Sequence, residues 1–136
     1  MAGGISPYHA NRMLDYEFGL TTYTPESTYY VGLLTTLPDE DGAGYVVAAG
    51  VSLLSVTNNT TNFSSASSKT KKNATILSWS AFAATRVLLG AAIFDDASKT
   101  HILRWGPFSS PVTVESGQPF EIAVNGAQFT IRTPAS

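Results

Sequence analysis

The side chains able to do chemistry are few in this chain, and they are scattered. His9 and His101 lie far apart with no third histidine, and neither has the H-x-H or H-E-x-x-H spacing of a metal set. They read as a helix-start histidine and a strand-surface histidine. The lack of cysteine removes disulfides, thiol catalysis and thiolate zinc sites together. Serine is plentiful, yet none sits in G-x-S-x-G, so a hydrolase triad has no nucleophile elbow. Asp39, Glu40, Asp41, Asp95 and Asp96 fall in turn-like stretches, where water hydrates them; glycoside hydrolysis needs two carboxylates held across a bond. The first three precede Gly42 as in a calcium loop, but the EF-hand spacing is wrong and the later bidentate Glu is missing. Lys69, Lys71 and Lys72 form the one basic cluster, with no aromatic residue nearby beyond Phe63, and read as a solubilising loop tip. Trp79, Trp105, Tyr29 and Tyr30 could line a sugar-binding face, although aromatic residues in strands more often fill a core. The chemistry therefore points to no enzyme, no metal and no cofactor, with a glycan-binding module as the rival from another functional class.

The elements that must position these residues are mostly strands. In Val87 to Phe94 both alternating sets of side chains are apolar, which marks a central strand covered on both sides. Asp95 to Ser98 favour a turn, and Thr100 to Trp105 resumes as the antiparallel partner, with Gly106 and Pro107 expected to stop it. Thr28 to Thr35 is an earlier strand ended by the loop Leu37 to Gly44. Tyr45 to Thr57 divides at Gly50 into an edge piece and a strand from Val51 to Val56. Asn58 to Asn73 is polar and of low complexity, long enough to be either mobile or bound. Ala74 to Trp79 and Pro111 to Val114 are further strands. A terminal hairpin is expected over Phe120 to Val124 and Ala127 to Arg132, turned at Asn125 and Gly126 and pairing Val124 with Ala127, Ile122 with Phe129 and Phe120 with Ile131.

Ahead of the strands, Ser6 and Pro7 read as the N-cap and first residue of a helix, with Gly19 just past its end. Met1 to Ile5 has too little apolar content to pack and is expected to be flexible. The stripe Ala10, Met13, Leu14 and Phe18 needs a covering surface, so these four are the candidate partner-binding residues. Residues 1–20 are thus an arm with a short helix, and 21–136 a single β domain expected to melt cooperatively without the arm. The fold class is all-β, an antiparallel sandwich or jelly roll of roughly seven or eight short strands with one short N-terminal helix.

Composition sets the outer limits. A chain of 136 residues buries enough surface for a core without staples. A formal net charge of −2 gives no overall pull towards nucleic acid or anionic membrane, and no apolar run reaches the length of a membrane span. The N-terminus carries no export signal, which places synthesis in a cytoplasm and takes the weight from the N-x-[ST] sequons at Asn58, Asn59, Asn62 and Asn73. Charged residues make up only 13%, against roughly a quarter in ordinary soluble domains, so part of this surface is expected to be covered by protein.

TYTPESTYYVGLLTTLPDEDGAG, followed by GAAIFDDASKTHILRWGPF and PVTVESGQPFEI, resembles a family of small virion proteins of tailed bacteriophages, in order and spacing over nearly the whole chain. Departures are Ala84, Thr85 and Arg86, where the family has S-W-G, and Trp105 with Gly106, where it has Y-G. The resemblance implies a structural role in the virion, after synthesis in a host bacterial cytoplasm. Members are often labelled tail-fibre proteins, but no heptad, triplet or other repeat is present to build a shaft. A capsid decoration, or cement, protein bound to the major capsid protein is therefore the favoured expectation, with a tail-fibre or baseplate accessory bound to tail proteins as the alternative. A homotrimer is expected, since the resemblance implies local three-fold positions.

Overall fold

The computed structural model describes residues 4–19, 22–67 and 70–130, the side chains of 129 and 130 excepted. It is an all-β antiparallel sandwich with one short helix. The elements are β1 (Gly4–Ile5), α1 (Pro7–Glu17), β2 (Thr28–Thr36), β3 (Val46–Val47), β4 (Leu54–Thr57), β5 (Thr70–Lys72), β6 (Leu77–Trp79), β7 (Arg86–Phe94), β8 (Ile102–Val114), β9 (Phe120–Ile122) and β10 (Gln128–Thr130). The main sheet runs β1-β8-β7-β2-β3, with β4 also on β2, while β6 with β9 and β5 with β10 form two small sheets.

The central strand is β7, as its two apolar faces require. It lies between β2 and β8, with Val31 opposite Ile93 and Ile93 opposite Arg104 in one row, and Gly32, Ala92 and Trp105 in the next. The first row belongs to a core in which Val31, Leu33 and Ile93 pack with Phe63, Leu77, Trp79 and Phe82. The second belongs to a core of Leu34, Ala92, Phe94, Ile102 and Trp105, roofed by Tyr45 and Leu53. Gly50 has φ +76 and separates β3 from β4.

Four expectations are corrected. Gly106 and Pro107 do not stop β8; they sit opposite Ala91 and Gly90, and the ladder then slips so that Leu88 pairs with Val112. Phe108 to Pro111 absorb the slip, which is how a strand accommodates prolines, and Pro111 to Val114 continue the same strand. The terminal hairpin does not form: β9 pairs with β6, and β10 pairs with β5. Asn73 is the cause, since its backbone and side chain occupy both arms, and Val124 is left exposed. The expected partner Ile131, with Arg132, lies outside the described residues. The Asn58 to Asn73 stretch is not wholly mobile, because Phe63 is buried in the core and β5 pairs within the domain. Finally, Gly4 and Ile5 are not free of the sheet but pair with Trp105 and Arg104. Glycine permits this, for a Cβ at Gly4 would stand 2.6 Å from Trp105 Cζ2.

Candidate functional site

The helix α1 is fixed by local chemistry at both ends. Ser6 is the N-cap, its Oγ accepting from the His9 N–H at 3.2 Å, and Pro7 needs no donor at N1. Phe18 is the C-cap, and Gly19 follows with φ +77, its N–H donating to the Tyr16 carbonyl. The Ser6 N–H donates to the Leu103 carbonyl at 2.9 Å, so the helix starts directly from the sheet.

Its inner face is polar and aromatic. His9 is 6% exposed, and burial, then Arg104 and Arg12, push its pKa down to about 4. No partner reaches its Nδ1. Tyr8 stacks on His101 with centroids 3.6 Å apart, and His101 Nδ1 lies 2.7 Å from Asp95 Oδ2. Arg12 reaches Glu26 Oε1 at 3.2 Å and lies over the rings of Tyr8 and Tyr23. Neighbouring Tyr29 is buried enough that its pKa is pushed up to about 12. None of these contacts had a periodic signal in the sequence.

The candidate stripe is divided by this docking. Ala10 and Met13 are half-buried, Met13 Sδ lying 3.9 Å from Arg104 Nη2, whereas Leu14 is 52% and Phe18 79% exposed. Tyr16, 56% exposed, lies on another side of the helix and packs its ring edge-on against Tyr23, with centroids 6.3 Å apart. Asp15 and Glu17 lie in the last turn, which has no basic residue.

Beside α1, between the main sheet and the β6–β9 layer, is a cleft of about 470 Å³. Val31, Ala91, Ile93, Phe108 and Phe120 give it an apolar lining, and Arg104 lines it too. Arg104 is half-buried, without a carboxylate at ion-pair distance among the described residues, and burial holds its pKa below the usual arginine value. Glu121, also lining the cleft, is exposed to water.

The remaining candidates take structural positions. Trp79 and Trp105 are buried in different cores and form no shared sugar-binding platform; Tyr29 and Tyr30 are half-buried against the same two cores. Asp39 Oδ1 accepts from the N–H groups of Asp41 and Ala43, folding the acidic loop on itself. Among the described residues no three of His, Asp and Glu come together as a metal set. Lys69 lies outside the described residues; Lys71 is exposed and Lys72 half-buried. No helix among the described residues is long and apolar enough to cross a membrane.

Comparison with curated proteins finds no match. A family model does match, described as podophage GP4 fiber I protein gp80, and the match covers residues 4–130. Nearly the whole sandwich, from β1 to β10, falls within that span, and so the chain is a phage structural protein belonging to the podophage GP4 fiber I protein gp80 family.

Proposed function

We propose that the chain is a non-enzymatic component of a podophage tail fibre, held in the virion through the outer face of α1. The observation that carries this reading is the fibre family match over residues 4–130. It favours the tail over the capsid shell to which the lack of a shaft-forming repeat first pointed. A compact sandwich with no repeat suits a junction or end piece better than a shaft. Leu14 and Phe18 supply an exposed apolar surface on a helix whose inner side is already anchored. The partners are other virion proteins, and copies of the chain act together, with a homotrimer as the state to seek first. No cofactor enters this role.

The test is imaging of the parent particle with a label on this chain. Density at the tail supports the fibre; density spread over the shell means a cement protein. Particles lacking their own copies should take up wild type and exclude Leu14→Ser with Phe18→Ser. Point substitutions are the better tool, since deleting residues 1–20 also removes β1 and uncovers Trp105.

A further inference from the structure

Among the described residues the exposed end of α1 and the cleft each lack a partner, and their chemistry is complementary. Asp15 and Glu17 stand at the negative end of the helix macrodipole with no basic residue in that turn, an arrangement a nearby cation would relieve. Arg104 is the converse, a half-buried cation on the cleft wall with no carboxylate paired to it among the described residues, the Glu121 that also lines the cleft being exposed to water. Phe18 is the most exposed large apolar residue described, and the cleft has an apolar lining and a volume of about 470 Å³. We propose that the end of α1 in one copy, Leu14 to Phe18, docks in the cleft of a second copy, with Phe18 on the apolar lining and Glu17 facing Arg104. This rests on the outer face of α1 being the attachment surface, and names a second copy of the chain as its partner. Two different surfaces meet, so the contact is heterologous and propagates into a closed ring or an open filament.

Gly106 makes the cleft testable. It lines the cleft, and a Cβ there would meet nothing within 4 Å, so a side chain can start from Gly106 without a clash and Gly106→Trp should obstruct the cleft. In sedimentation equilibrium, wild type should self-associate in the micromolar range, while Phe18→Asp and Gly106→Trp are each monomeric and still melt cooperatively. Mixed one to one, they should regain a dimer, because the first keeps a cleft and the second keeps a helix end. Glu17→Arg should weaken wild-type association about tenfold. A monomeric wild type overturns the proposal. So does a mixture that stays monomeric while wild type associates. The attachment reading fails on a different result, namely Phe18→Asp entering particles as wild type does. If wild type is monomeric and Phe18→Asp is still excluded from particles, attachment stands and the second copy is ruled out as the partner.

Discussion

The side-chain oxygen of Asn73 accepts the Ala127 N–H at 2.8 Å, across 54 positions of sequence, and Asn73 is fully buried. The amide nitrogen of the same side chain donates to the carbonyls of Thr75 and Ala123, both at 2.9 Å. This one residue substitutes for the hairpin ladder that the Asn125-Gly126 turn would otherwise have closed. Asn73→Ala would leave two carbonyls and one N–H without their part-buried hydrogen bonds, and should cost about 1 to 3 kcal/mol in urea melts. Asn125→Gly is the control: φ is +65 there, glycine adopts that conformation without strain, and the change should stay within about 0.5 kcal/mol.

Two glycines that face each other diagonally across β7 and β8 should respond to very different degrees. A Cβ at Gly90 would collide with the Gly106 carbonyl oxygen and lie 2.7 Å from Leu37 Cδ2 and 3.0 Å from Pro107 Cα, whereas one at Gly106 enters open space. Gly90→Ala should therefore destabilise by about 3 kcal/mol, through forced backbone displacement, and Gly106→Ala by less than about 1. Equal losses in denaturant melts would mean that the slip between Leu88 and Gly90 is misplaced.

Where information was local, the sequence was readable. Ser6, Pro7 and Gly19 delimit α1 because caps act within one turn, and β7 declares itself because both its faces are apolar. The slip in β8 was hidden, since it depends on which residue of a distant strand stands opposite Pro107. Asn73 was equally hidden, because no pattern in the chain tells a turn asparagine from one that bonds to residues 50 and 54 positions away. The attachment face was half legible. Apolar periodicity located α1's candidate surface, but the helix turns Ala10 and Met13 inward beside His9, since Tyr8 finds His101 and Arg12 finds Tyr23 and Glu26. Aromatic and cationic pairings of that kind have no period.

The burial of His9 predicts a loss of stability in acid. Unfolded, its imidazole takes up a proton near pH 6.5; folded, only near pH 4, because charging it means charging a buried ring beside Arg104 and Arg12. The facing groups from other elements are Tyr23, whose ring is 5.9 Å away, and Arg104. Between these two values the unfolded chain holds the extra proton, so stability falls as pH drops from 6.5 and this contribution is spent below 4. The loss should reach about 3 kcal/mol. Urea melts at pH 7, 5.5 and 4.5 should show it in wild type and lack it in His9→Gln, which separates it from carboxylate titration.

Gly4→Ala should detach β1 without unfolding the sandwich. The added methyl has no room against the Trp105 ring, and among the described residues the two-residue β1 pairs with no strand but β8, through Trp105 and Arg104. Trp105 belongs to the core with Phe94 and Ile102, whereas Trp79 belongs to the other core, with Leu77 and Phe82. Losing β1 therefore uncovers one tryptophan and leaves the second dry. Emission should shift part of the way to the red, and the Ser6 N–H, which donates to Leu103, should exchange faster. Global stability should fall by only about 1 to 2 kcal/mol, because β7, β2 and the second layer keep their pairing. Unchanged emission together with slow exchange at Ser6 would mean that β1 does not cover Trp105 in solution. A full cooperative collapse would instead make the arm part of the folding unit.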